Sequence, residues 1–189
     1  RARARRREGK PAMTSEQLMK AGRQSDPAEK ARTTVERTSD RELAVTRTVD
    51  GPAWIVFEAW SRPELFQRWW APKSCGVSLI SFEADIRTGG TYRLLMGHPS
   101  SEQPMAFFGR YVEVTPHARL VWTNDEGGED GPVTTVTFEE RDGATDVVVQ
   151  ELYPSKEALD DALASGSTSG WGEQFAQLDD LIVLLDAEV

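Results

Sequence analysis

Trp60-Ser61-Arg62-Pro63-Glu64-Leu65-Phe66-Gln67-Arg68-Trp69-Trp70-Ala71-Pro72 holds three of the six tryptophans in the chain. Indole side chains are too large to be gathered for local structure alone, and such a cluster fills a core or walls a pocket. Local signals divide the region into two short amphipathic helices. Pro52 suits a first helical turn, and Trp54, Ile55, Phe57, Glu58 and Ala59 carry a helix to Trp60. Ser61 then stands as an N-cap with Glu64 three residues on, the spacing of a capping box, so a second helix is predicted over 63–69. Ala71-Pro72 stops it.

Upstream of the cluster, Leu43, Val45 and Val49 alternate with polar residues as in a half-buried strand, with Arg47 interrupting the pattern and Gly51-Pro52 ending it. Downstream, the period becomes two from Gly76 to Leu152. Strands are predicted over 77–85, 91–97, 105–115, 120–123, 133–140 and 145–152, joined by short polar connections. One of these, Arg141-Asp142-Gly143, is a hairpin turn of the Asp-Gly type. Pro154-Ser155-Lys156-Glu157 opens a last helix, continued by Leu159, Leu163, Phe175, Leu178, Ile182 and Leu185 and weakened by the glycines at 166 and 170. The fold class is α+β. A curved seven-stranded antiparallel sheet needs its apolar face covered, and one long C-terminal helix can cover it. The two short helices then close one end, leaving a cavity between helix and sheet.

Residues 1–40 contain few apolar side chains and are expected to be a disordered basic segment, with one polar helix over 26–37 started by Asp26 and Pro27. The domain is placed at 42–189. Residues 1–41 carry twelve Lys and Arg against six Asp and Glu, whereas residues 42–189 carry ten against twenty-five. So acidic a domain is a poor ligand for phosphate backbones, and no specific nucleic-acid binding is expected. The arginine run at 1–7 reads as a solvated tail or as residues upstream of a start at Met13. No apolar run approaches the roughly 18–20 residues that span a bilayer, so no membrane insertion is expected. Cys75 is the only cysteine, which excludes an internal disulfide and fits a reducing cytoplasm.

Catalytic and metal chemistry finds little support. His98 and His117 fall in predicted turns without Cys, His or carboxylate neighbours at zinc-ligand spacing, so no metal and no cofactor is expected. Cys75 reads as a buried or half-buried inert thiol. The four carboxylates of Asp125-Glu126-Gly127-Gly128-Glu129-Asp130 lack the ordered spacing of a calcium loop and read as a solvated hairpin tip. The glycines at 166, 170 and 172 follow no strand and lack a phosphate-loop lysine. No catalytic constellation is recognisable.

A set of positions spread over 43–185 resembles a known family. It includes Arg47, Pro52, Phe57 with Ala59-Trp60, Pro63, Trp69-Trp70 and Pro72. It continues with Gly89-Gly90-Thr91-Tyr92-Arg93, then Gly109, Tyr111, Glu113 and Pro116, then Leu120-Val121-Trp122. Val136 with Phe138, Gly143 with Thr145, and Gly170-Trp171 before Phe175 and Leu178 complete it. In this order and spacing the chain resembles the START-like, helix-grip superfamily, and within it bacterial proteins similar to the activator of the 90-kDa heat-shock protein ATPase. The resemblance implies a cavity beneath the C-terminal helix but no particular reaction, since relatives include lipid carriers, hormone-binding proteins, cyclases and chaperone co-factors. Many relatives carry a histidine where this chain has Glu151.

The expected lining is aromatic: Trp60, Trp69, Trp70, Trp122, Trp171, Phe107 and Phe175. Tyr92 is placed inward with Leu94 and Met96, leaving Arg93 outward. Alternation puts Glu151 on one face with Val147 and Val149, at the cavity rim, where it would orient a polar group of a ligand. The leading functional expectation is binding of a small apolar or amphipathic molecule. The alternatives are a chaperone-associated protein-interaction module and a cyclase- or hydrolase-like enzyme using the same cavity.

Overall fold

Along the segment Glu42–Val49 every second residue is buried, so Leu43, Val45, Arg47 and Val49 share one face. The computed structural model describes residues 32–188. Its strands are β1 (Thr34–Arg37), β2 (Glu42–Val49), β3 (Ser78–Ala84), β4 (Thr91–His98), β5 (Ser101–Thr115), β6 (Arg119–Thr123), β7 (Val133–Arg141) and β8 (Ala144–Leu152). Its helices are α1 (Ala53–Ser61), α2 (Pro63–Phe66), α3 (Lys156–Ala164) and α4 (Trp171–Asp186). The strands form one antiparallel sheet in the order β1-β2-β8-β7-β6-β5-β4-β3. The first long strand therefore pairs with the last, Val45 opposite Val149, and α1 and α2 fill the connection that crosses from β2 to the far edge.

The expected α+β architecture is present, an antiparallel sheet with a C-terminal helix against one face, and three details differ. The sheet has eight strands rather than seven. β1 folds back on β2 as a hairpin, with Val35 opposite Val45, in a segment expected to be disordered or helical. All four of its side chains are exposed, so it carries no apolar alternation that a sequence reading detects. The start of the expected helix, at Asp26, lies outside the described residues. Second, the single long C-terminal helix is two helices. Gly166 has a φ of 75°, a left-handed conformation that ends α3 at little cost only for glycine. Third, Ser61 caps nothing: helical bonding runs on to Arg62, whose N–H reaches the Glu58 carbonyl at 2.9 Å. Helix α2 opens with Pro63 in its first turn, and Glu64 pairs with Arg62 instead of returning to a cap.

The core lies between the inward sheet face and the pair α1 and α4. Phe175, Leu178, Leu181 and Ile182 of α4 are buried with Val45, Val49, Val136 and Val147 of the strands. The approach of α4 depends on Gly51, where an added Cβ would stand 2.5 Å from Ile182 Cγ2. Arg47 on the same inward face is 9% exposed and forms a salt bridge with Asp179 of α4. Burying both charges is tolerable because each neutralises the other. Leu43, Tyr153 and Leu159 form a separate small core that seats α3.

Candidate functional site: an aromatic cavity under the C-terminal helix

Trp60 is the hub of the aromatic cluster. Its ring centroid lies 4.8 Å from Trp69, 6.1 Å from Trp70, 6.4 Å from Trp122 and 6.3 Å from Phe175. Edge-to-face and tilted contacts of this kind add to the hydrophobic gain of burying the rings. Trp69 is fully buried, and its indole N–H donates to the Ala59 carbonyl at 2.9 Å. The chain beyond α2 has left its helix, so its carbonyls need other partners. Helix α4 supplies them: Gln177 Nε2 donates to Trp69 and Ala71, and Gln174 Nε2 to Trp70. Glu173 accepts the Ser74 N–H at 2.8 Å. Side chains of α4 thus hold the tryptophan segment against the sheet.

A cavity of about 420 Å³ opens between this assembly and the inward sheet face. Its back wall is one rung of the sheet, since Glu151 lies opposite Thr134, Thr134 opposite Trp122, and Trp122 opposite Tyr111. Phe66, stacked on Trp70 at 4.6 Å, and Trp171 form the helical side. Met96 and Phe107 line the wing formed by β4 and β5. Residues 166–170, the break between α3 and α4, complete the wall.

Two polar groupings interrupt the apolar lining. At one end Tyr92 donates its hydroxyl to the Thr123 carbonyl at 2.9 Å and to Asn124 Oδ1 at 3.1 Å. Asn124 in turn donates to the Pro132 carbonyl and to Thr134 Oγ1, both at 3.0 Å. At the other end the Tyr153 hydroxyl donates to Glu151 Oε2 at 3.1 Å. Burial pushes the Glu151 carboxyl above the usual carboxylate range, and the Tyr153 hydrogen bond opposes that without cancelling it. Burial likewise raises the phenols of Tyr92, Tyr111 and Tyr153, with the carboxylates of Glu126 and Asp125 adding to the effect at Tyr92. All three remain neutral hydrogen-bonding groups at physiological pH. Trp60 is 2% exposed, and its indole N–H meets no acceptor among the described residues.

Seven of the nine residues picked from the sequence stand on this wall: Trp60, Trp70, Tyr92, Phe107, Trp122, Glu151 and Trp171. Trp69 and Phe175 do not; both are wholly enclosed by neighbouring side chains. Arg93 faces out, as alternation along β4 requires. Cys75 is exposed rather than buried, because the 3-10 turn Lys73–Cys75 carries it away from the core at the cavity margin. Tyr153, Asn124 and Thr134 were not anticipated. Tyr153 lies one residue beyond the end of β8, where periodicity gives no direction, and Asn124 and Thr134 sit at the ends of the acidic loop. Among the described residues no group of three or more His, Cys, Asp or Glu is placed to hold a metal ion, and no helix is long and apolar enough to cross a membrane.

Residues 50–182 match a family model described as Activator of Hsp90 ATPase homolog 1-like protein. No curated protein matches the chain. Among solved structures, a protein from Nitrosomonas europaea superposes with a TM-score of 0.72 at 22% identity, over 80% of this chain and 99% of that one. A protein from Mycobacterium smegmatis gives 0.69 at 24% identity, over 82% and 99%. A protein from Chromobacterium violaceum gives 0.63 at 26% identity, over 74% and 96%.

Proposed function

The chain belongs to the Activator of Hsp90 ATPase homolog 1-like family, and on that premise we propose that it binds a small apolar or amphipathic molecule between its sheet and α4. The observation that carries this reading is the aromatic cavity of about 420 Å³. That volume falls in the roughly 300–1,000 Å³ range of sites that enclose drug-sized molecules, and its few converging polar groups are the usual means of fixing a ligand's orientation.

The test is a titration with the neutral fluorophore N-phenyl-naphthylamine. Saturable enhancement of the dye, accompanied by quenching of tryptophan emission, is the expected result. Met96→Trp and Phe107→Trp, which enlarge half-buried and exposed side chains on the wall, should weaken binding while leaving the melting temperature nearly unchanged. A dye that does not bind, or that binds these variants as well as the parent, rejects the reading.

A protein-interaction module is the second reading, favoured by apolar side chains on the opposite face of the sheet. Ile80 is 55% exposed and Phe108 41% exposed, on a strongly acidic domain. An effect of the purified protein on the ATPase rate of a purified 90-kDa heat-shock protein, lost in Phe108→Ser, would support this second reading. An unchanged rate would remove it.

A further inference from the structure

The charge that the cavity selects can be argued from its wall, granted that the cavity is a ligand site. Among the described residues of that wall there is no Lys, Arg or His, and Glu151 supplies the one carboxylate. Tyr153 occupies Oε2 of Glu151, and no described donor reaches Oε1. Several neutral donors of the wall are already engaged, and none of the wall's donors carries a positive charge. The Tyr92 hydroxyl and the Asn124 amide bond each other's neighbourhood, and Gln174 Nε2 serves the Trp70 carbonyl at 2.6 Å.

An anionic head group entering this space would lose its hydration and meet no positive charge in return, a cost of several kcal/mol by the desolvation argument. A cation meets the opposite situation. Glu151 offers a free carboxylate oxygen, and Trp122 and Tyr111, on the same sheet rung, offer aromatic surface to an apolar body. Beyond the wall, the carboxylates of Asp125 and Glu126 act on Tyr92. Residues 42–189 carry ten basic against twenty-five acidic side chains, so the long-range field also draws cations toward the protein.

We infer that the cavity takes an organic cation, a hydrophobic amine whose ammonium group sits at Glu151 and whose apolar body lies along Trp122 and Tyr111. Glu151 faces Leu43 of β2 and Thr134 of β7 across its two strand pairings, so Tyr153 is the titratable group in direct contact with it. The ammonium would donate to Oε1 and hold the carboxyl in its ionised form.

The experiment compares three probes of one chain length, dodecylammonium, dodecanol and dodecanoate, each below its micellar concentration. Binding to the full chain is followed at neutral pH by calorimetry and tryptophan quenching. Dodecylammonium should bind about tenfold more tightly than dodecanol, the increment of a charge-assisted hydrogen bond, and dodecanoate most weakly. Glu151→Gln should bring dodecylammonium down to the level of dodecanol and leave dodecanol unchanged, whereas Glu151→Asp should retain the preference. A parent protein that favours dodecanol or dodecanoate overturns the inference. So does a Glu151→Gln variant that keeps the ammonium preference, because the general acidic field would then be responsible. Binding of N-phenyl-naphthylamine without any ammonium preference overturns the charge assignment alone. Failure of that dye and of all three probes overturns the cavity reading together with it.

Discussion

Gln177 on α4 donates from Nε2 to the carbonyl of Trp69 at 2.7 Å. Through the same amide it donates to the Ala71 carbonyl at 2.9 Å and accepts the Lys73 N–H on Oε1 at 3.0 Å. One side chain thereby satisfies three backbone groups of the segment between α2 and the 3-10 turn Lys73–Cys75. Gln177→Ala leaves them to weak or no partners and should cost about 1–3 kcal/mol, read from urea denaturation. Gln177→Glu keeps the acceptor and removes the donor, so it should be nearly as destabilising.

The Arg47–Asp179 pair predicts a non-additive result. Removing one partner strands the other charge, so Arg47→Met alone should cost about 3 kcal/mol. Asp179 has a 31% exposed side chain, which places the loss at the low end for buried pairs. The double variant Arg47→Met, Asp179→Leu should recover most of it, since apolar replacements of similar volume also fit the core. A double-mutant cycle by urea denaturation checks this, and a simple sum of the two single losses would show that the pair is uncoupled.

Glu151 sets a pH dependence. Its folded-state carboxyl titrates above the ordinary glutamate range because of burial. Between the unfolded and folded values the folded protein binds more protons than the unfolded chain, so stability falls as pH rises through that window. Glu151→Gln abolishes the ionisation. The variant should therefore melt at a higher temperature than the parent at pH 7, with the difference shrinking toward pH 4 as the parent carboxyl becomes protonated in both states. Thermal melts of the two proteins across this range give the answer.

Gly51→Ala tests the close approach of β2's end to α4. The new methyl would meet Ile182 Cγ2 at 2.5 Å, and relief requires α4 to shift or Ile182 to leave its rotamer. Overpacking of this kind costs about 1–3 kcal/mol. The companion change Ile182→Leu removes the Cγ2 branch that obstructs the methyl and should restore some of the lost stability in the double variant.

The strands and the aromatic cluster were legible because both announce themselves in the chain. Strict alternation at β4, β7 and β8 tells inward from outward, so Tyr92 and Glu151 were assigned to the correct face before any pairing was known. The density of tryptophan between Trp60 and Pro72 required a shared apolar environment. Which rings remain on a cavity wall was not legible. Trp69 and Trp70 are adjacent and chemically identical, and only the docking of α4 decides that Trp69 is enclosed while Trp70 keeps a face on the cavity. β1 escaped notice because a strand with four exposed side chains has no hydrophobic signature. The break at Gly166 was visible as weakness but not as a wall element, since its role depends on where α3 and α4 separately dock.

The cross-strand rung that ends in Glu151 has neighbours of a different character. Two residues along, Val45, Val149, Val136, Leu120 and Val114 lie opposite one another in sequence across five strands, an apolar row that belongs to the core. The one carboxylate of the cavity wall thus stands on a different transverse line of the sheet from this apolar row. On the proposed ligand reading, exchanging the carboxylate at position 151 for an imidazole or an amide changes the polarity of the cavity without touching that row.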